Sequence, residues 1–326
     1  MTVDLTDPIF HDEDAARAHF ETIHWPNGPF CPKCGEAENI SKLGEKHGKR
    51  PQRPGLHHCN SCKAHFTVTV GSVMERSHIP LCKWALGFHL MAASKKGVSA
   101  HQLHRMLKIT YRAAWFMEHR IREAMAPHGN VFSPIGGEGK TIEIDETFQG
   151  YKEAGPTWEF HNERGWQKKR GYGDRRAVLT LVERGGRARS FHINSVTARD
   201  LDAIIAIHAD TRSKLMTDEA NAYRNIGKRF ASHDSVNHGE EEWVRKLSDG
   251  TKVHSNTAEG FFSIFKRGMK GVYQHCDEKH LQRYLAEFDF RYSNRIALGV
   301  NDTERATRAI QGAVGKRLTY RPSRSA

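Results

Sequence analysis

Two cysteine pairs, Cys31-Pro-Lys-Cys34 and Cys59-Asn-Ser-Cys62, stand 24 residues apart among many Gly, Pro, Lys and His residues. Nothing else constrains this chain as strongly. A segment with so little apolar periodicity cannot bury enough surface to order itself. Each CxxC turn offers two thiolates from one tight loop, and four thiolates complete the tetrahedron that Zn2+ prefers. Residues 29–75 therefore read as a zinc ribbon holding one structural Zn2+ through Cys31, Cys34, Cys59 and Cys62. The spacing is longer than in the commonest ribbons and fits an inserted loop from Gly44 to Pro54. His57, His58 and His65 lie close enough to replace a thiolate, but four cysteines are the simpler set. The remaining cysteines, Cys82 and Cys276, stand singly in apolar or helical surroundings and read as packing residues. Paired CxxC units in a reducing compartment are metal ligands more often than disulfides.

Charge points to the partner. The 326 residues carry 50 Lys and Arg against 38 Asp and Glu, a formal net charge of +12. A field of that sign favours a polyanion, because phosphates neutralised by the protein release counterions. Arg164, Lys168, Lys169, Arg170, Arg175 and Arg176 crowd one Gly-rich stretch, with Lys168, Lys169 and Arg170 the best candidates there for DNA contacts. No run approaches the roughly 18 apolar residues of a membrane span. The N-terminus lacks a basic and then apolar leader, so the expectation is a cytoplasmic, nucleoid-associated protein.

Periodicity divides the chain further. Residues 1–28 hold a short helical pattern through Ala15, Ala16, Ala18, His19 and Phe20. Residues 78–128 are strongly helical and break into three. Leu81, Trp84, Ala85, Phe88 and Met91 make one apolar face. Ser99 caps a second helix with Leu103, Met106 and Leu107 inward. Thr110 caps a third with Ala114, Met117, Ile121 and Met125 in register. The last two, joined by Lys108-Ile109-Thr110, resemble a helix-turn-helix, whose second helix would enter the DNA major groove. Tyr111, Arg112, Trp115, His119 and Arg122 are then left for its outer side. A plain three-helix linker is the other reading.

From residue 139 to 295 strands alternate with helices, an α/β pattern. Thr141-Ile-Glu-Ile-Asp145 alternates as a strand. Ala177–Val182 and Arg189–Ile193 flank Gly185-Gly186 as a hairpin. A helix is expected over 198–209, a strand over 214–217, and further helices near 220–228, 257–270 and 281–292. Residues 296–326 read as a basic tail.

Asp145 and Asp218 each follow a strand, where a carboxylate alone says little. The third element is a helix in which Asn256, Glu259, Ser263 and Lys266 share one face at about 100° per residue, opposite Phe261, Ile264 and Phe265. Asn256 with Glu259 three residues on is also a capping box, and both readings can hold together. Acidic groups drawn together by a sheet and a helix suit two hard cations such as Mg2+ or Mn2+.

These motifs resemble insertion-sequence transposases of family 1595. The resemblance runs over nearly the whole chain: CPKCG and CNSCKAHFTVTVGSVME in the ribbon, then KKGVSAHQLHRML and TYRAAWFMEHRIREAM. In the core it covers IEIDET, TDEANAY, VHSNTAEGFFSIFKRGMKGVYQHC and HLQRYLAEFDFRY. It implies a ribonuclease-H-like catalytic domain after the ribbon and helix-turn-helix. It also implies strand cleavage and strand transfer on the element's inverted repeats. Carried over by position, Asp145 and Asp218 are the first two acids. Glu259 is favoured as the third over Asn256, and Lys266 is the accompanying lysine. Ser255 stands where Thr is expected, and the basic stretch 150–176 matches less clearly. Double-stranded DNA is the implied partner, with a homodimer or higher oligomer formed on it. The alternative is a DNA-binding regulator with an inactive catalytic domain, and it has no reason to keep Asp145, Asp218, Glu259 and Lys266 together.

Overall fold

The computed structural model describes residues 4–44, 46–47, 50–51, 53–128, 133–152, 158–163, 165–168, 174–240 and 242–319. It divides into two compact units: Met1–Pro127 with Val300–Ala326, and His128–Gly299.

The first unit opens with α1 (Glu13–His24), started by Asp12, whose side chain accepts from the Ala15 amide at 2.7 Å. Ala16, Phe20 and His24 recur at helical spacing and form its buried face. The ribbon follows as β1 (Ile40–Lys42), β2 (Lys46–His47), β3 (Arg50–Pro51), β4 (His57–Cys59) and β5 (His65–Phe66). Strands β1, β4 and β5 make an antiparallel sheet, while β2 and β3 form a small hairpin in the inserted loop. Next come α2 (Leu81–Ala93), α3 (Ala100–Leu107) and α4 (Tyr111–Met125). Ser99 and Thr110 cap α3 and α4, each accepting at 3.2 Å from the amide three residues on. Lys108 takes the left-handed conformation that ends α3. Met106 departs from expectation at 45% exposure. Leu103 and Leu107, an i and i+4 pair, take the buried stripe, and Met106 lies one step around the helix from it.

In the second unit, β6 (Ile135–Gly136) leads to β7 (Thr141–Tyr151). A hairpin of β8 (Trp158–His161) and β9 (Gly165–Lys168) precedes β10 (Arg175–Glu183) and β11 (Ala188–Ile193). Then follow α5 (Ala198–His208), β12 (Ala209–Asp210), β13 (Lys214–Thr217), α6 (Tyr223–Gly227) and β14 (Ser232–Ser235). The short pair β15 (Arg245–Lys246) and β16 (Lys252–Val253) leads into α7 (Asn256–Gly268) and α8 (Leu281–Ser293). The sheet order is β11-β10-β7-β13-β14: the first three strands are antiparallel, and β7, β13 and β14 run parallel.

Strand alternation builds two cores. Ile142, Ile144, Leu179, Leu181 and Leu215 face Leu201 and Ile205 of α5 and Tyr223 and Ile226 of α6. Val178 and Val182, one residue out of phase with the leucines, face Phe261, Phe262 and Phe265 of α7 and Leu285 and Phe288 of α8. A sheet with helices on both faces has to bury both, which is why β10 is apolar from Ala177 to Val182 apart from buried Thr180.

Within the expected basic tail lies an ordered helix, α9 (Asp302–Gln311). Asn301 caps it, accepting from the Glu304 amide at 2.9 Å, and Ala306, Ala309 and Ile310 pack it into the first unit against α2. Small apolar residues among charges hide this face from a reading by composition. The helix expected over 220–228 shortens to Tyr223–Gly227, because the Asp218 side chain turns the chain by accepting from the Ala220 amide at 3.1 Å.

Candidate metal centres and active site

The two knuckles of the ribbon are built alike. The Gly35 amide donates to the Cys31 carbonyl and the Lys63 amide to the Cys59 carbonyl, both at 2.9 Å. Gly35 and Lys63 both adopt positive φ, which closes each turn. Glu36 ties the knuckles together: one carboxylate oxygen accepts from the Ala37, Glu38 and Asn39 amides, and the other from Ser61 Oγ at 2.7 Å. Those bonds, led by the one from Ser61, hold its carboxyl below the usual range. No disulfide joins the cysteines. Cys31 Sγ lies 3.5 Å from Cys62 Sγ, and Cys34 Sγ 3.6 Å from Cys59 Sγ. A tetrahedron with Zn–S bonds of about 2.3 Å has edges of about 3.8 Å, so the four sulfurs fit zinc. His57 instead stacks on Phe66 and bonds the Gly55 carbonyl, while His58 and His65 pair with each other at 4.8 Å. The histidines are thus engaged elsewhere.

The acidic site comes from strand register. Met216 of β13 pairs with Glu143 of β7, and beyond that point the two parallel strands part. Asp218 and Asp145 each lie two residues further on. Continuing the register sets them opposite one another at the carboxyl end of β13, while β7 runs on to Tyr151 beside β10, so Asp145 lies within its strand rather than after it. Carboxylate oxygens of Asp145, Glu146 and Asp218 all lie within 4.8 Å of one another. Burial pushes the Asp145 carboxyl up to about 7, despite a bond from the Glu146 amide. Repulsion from Glu146, Asp218 and Glu259 adds to that rise. Burial likewise lifts Glu146 to about 7, opposed by a hydrogen bond from the hydroxyl of buried Tyr223. Three carboxylates this close, two of them pushed up by burial, are a donor set suited to a hard divalent cation.

Glu146 is absent from the sequence-based set. Alternation sends it to the opposite face of β7 from Asp145, and only the end of β13 beside it and the bond from Tyr223 bring the two carboxylates together. Glu259 is the residue whose charge reaches Asp145 from α7. Asn256, Glu259, Ser263 and Lys266 lie on the exposed face of α7, opposite buried Phe261 and Phe265. The expected capping box is not what starts this helix. The Thr257 and Ala258 amides donate to Glu143 of β7, at 2.7 and 3.0 Å, while Ser255 Oγ donates to Glu259 at 3.1 Å.

The residues expected to meet DNA divide. Tyr111 and Arg112 are exposed and Trp115 half-buried, its ring 4.2 Å from that of His119. His119 and Arg122 are buried, which corrects their placement on the outer side of α4. The periodicity argument takes them for a solvent face because both are polar. Glu118, one turn earlier, lies 3.2 Å from Arg122 and compensates its charge. On the outside of α3, His101, Gln102, Arg105 and Lys108 are exposed. Lys168 ends β9 in a hairpin whose Trp158, Phe160 and Trp166 are more than half exposed, while Lys169 and Arg170 lie outside the described residues. Among the described residues, no helix is long and apolar enough to cross a membrane.

Comparison with known proteins follows the same division. Residues 136–293 match the ISXO2-like transposase domain, and residues 11–65 match the transposase zinc-ribbon domain. A protein of Halobacterium salinarum, described as an uncharacterized protein in transposable element ISH50, is 25% identical over 289 residues. That match covers 86% of this chain and 91% of the relative. With the carboxylate cluster inside one matched domain and the four cysteines inside the other, this chain belongs to the insertion-sequence transposases of family 1595.

Proposed function

We propose that this transposase binds the terminal inverted repeats of its element and catalyses Mg2+-dependent strand cleavage followed by strand transfer into target DNA. The observation that carries the reading is the convergence of Asp145, Glu146 and Asp218 where β7 and β13 part, with the charge of Glu259 felt at Asp145. The sheet order, three antiparallel strands continued by two parallel ones, supports a ribonuclease-H-like catalytic domain. Asp145, Asp218 and Glu259 would hold the cations, Glu146 beside them, and Mn2+ would serve as well as Mg2+. Such ions activate a water or 3′-hydroxyl and stabilise the leaving oxygen of an in-line phosphoryl transfer. Lys266, two turns along α7 from Glu259, steadies a DNA phosphate. Asn256, at the first position of α7, lies on the same exposed face and orients the strand.

End recognition falls to the ribbon and to α3 and α4 acting as a helix-turn-helix. Burial of His119 and Arg122 moves the reading surface toward Tyr111, Arg112 and Trp115 and the outer side of α3. Lys168, Lys169 and Arg170 contribute phosphate contacts. Bringing two ends together calls for a dimer or higher oligomer on the DNA, in the cytoplasm at the nucleoid.

Labelled DNA carrying the gene's own flanks, incubated with protein and Mg2+, tests the reading. Wild type is expected to give nicked ends and strand-transfer products. Asp218→Asn should bind the same DNA and yield neither. Equal breakage by both proteins would sink the metal assignment.

A further inference from the structure

We propose that Glu143 and Arg184 form a clamp that positions the acidic face of α7 against β7, so that the reaction depends on two residues that touch neither cation nor DNA. The catalytic consequence rests on the nuclease reading above. The clamp itself rests on contacts.

Glu143 has no solvent exposure, an expensive place for a carboxylate unless every lone pair is used. Four hydrogen bonds use them. Arg184 Nε donates at 2.5 Å, Thr257 Oγ1 at 2.7 Å, and the Thr257 and Ala258 amides at 2.7 and 3.0 Å. His254 Nδ1 lies 3.2 Å from the same carboxylate. Arg184 reaches the rest of the segment entering α7, donating to the Lys252 carbonyl at 2.6 Å and the His254 carbonyl at 2.9 Å. A strand carboxylate and a guanidinium at the end of β10 thus grip both sides of the turn into this helix.

Local sequence does not do that work. Ser255, at the N-cap, makes no side-chain capping bond, so two amides at the start of α7 find their acceptor on another element. Glu143 precedes Asp145 by two residues on the same face of β7, and the amides it holds precede Glu259 by one and two residues. Asp145 and Glu259 are therefore joined through one side chain. Glu143 is a positioning residue, because reacting groups misplaced by about 1 Å can lose a hundredfold in rate.

Geometry separates this role from electrostatics through two conservative variants of the full-length protein. Glu143→Gln keeps the reach and one acceptor oxygen for the Thr257 and Ala258 amides, but loses the charge and turns its NH2 toward Arg184 and Thr257 Oγ1. Glu143→Asp keeps the charge but is one methylene short. Four readouts apply: hydrogen exchange at the Thr257 and Ala258 amides without metal, Mn2+ binding by paramagnetic resonance, DNA affinity, and kcat and KM for cleavage. The clamp predicts that Glu143→Asp exchanges these amides faster, binds Mn2+ about tenfold more weakly and loses about a hundredfold in kcat. Its KM and DNA affinity should stay within about twofold, and Glu143→Gln, which still reaches the Thr257 and Ala258 amides, should retain more of the cleavage than Glu143→Asp. An active Asp variant beside a dead Gln variant would overturn the proposal in favour of a charge role. Both variants binding Mn2+ and cutting like wild type, with only a lowered unfolding temperature, would overturn it in favour of simple stabilisation. Wild type that neither binds Mn2+ nor cuts overturns the nuclease reading instead, and the exchange data still judge the grip on α7.

Discussion

Asp289, on α8, should make the second unit less stable as pH rises through neutrality. Its carboxyl accepts from the Ser190 amide at 2.7 Å and from Ser190 Oγ at 2.6 Å, linking α8 to β11. Burial pushes it up to about 7 in spite of those bonds and the nearby Arg189. In the unfolded chain an aspartate titrates near about 3.9. The folded value is the higher one, so the fold favours the neutral acid. That stabilisation is complete below about pH 4 and is lost as pH rises through about 7. At about 1.4 kcal/mol for each unit, a displacement of roughly three units corresponds to about 4 kcal/mol. The residue keeps part of its surface in solvent, which makes this a ceiling. Asp289→Asn preserves the shape and an oxygen facing Ser190 while removing the titration. Amide hydrogen exchange along β11 and α8, corrected for intrinsic rates, should show wild-type stability falling more steeply between pH 5 and pH 8 than that of the variant, which keeps only the fall due to Asp145 and Glu146. Stability falling in parallel in both proteins, or rising with pH in the wild type, would refute the argument. The Ser190 donors would then be holding a charged carboxylate.

Two further outcomes follow from the first unit. Purified protein should carry one zinc per chain. Cys59→Ser, or a strong chelator, should remove it and abolish protection of the β1–β4–β5 amides, because structural zinc contributes about 10 kcal/mol or more to such a site; metal analysis finding no zinc would refute this. Arg112→Ala and Arg122→Ala should part company. The first should weaken DNA binding with a salt slope smaller by about one, and the second should cost about 3 kcal/mol of stability by stranding Glu118. An Arg122→Ala protein as stable as wild type would restore that side chain to the DNA surface.

Local chemistry is legible in the amino-acid sequence itself. The Cys31–Cys34 and Cys59–Cys62 knuckles announce themselves because a CxxC turn needs no distant residue. Ser99 and Thr110 cap where expected, since a cap answers to the next three amides alone. The Gly185-Gly186 hairpin and the apolar stripes of α2, α7 and α8 follow from periods that a strand or helix imposes on its own sequence. Asp218 and Glu259 can be nominated because each sits at the end of such an element, and Asp145 because it follows the alternating run Thr141–Ile144, although β7 continues past it to Tyr151.

Tertiary structure alone decides which polar groups are inside and which acids meet. Arg122 and His119 look like surface residues until the helix is packed, because burial of a charge depends on neighbours contributed by other turns and elements. Glu146 joins Asp145 and Asp218 only because β7 and β13 part at that level and Tyr223 holds it there. The start of α7 reads as a capping box, the answer available within four residues. The chain uses Glu143 instead, more than a hundred residues away, since an amide needs an acceptor and the sequence does not say from which strand it will come.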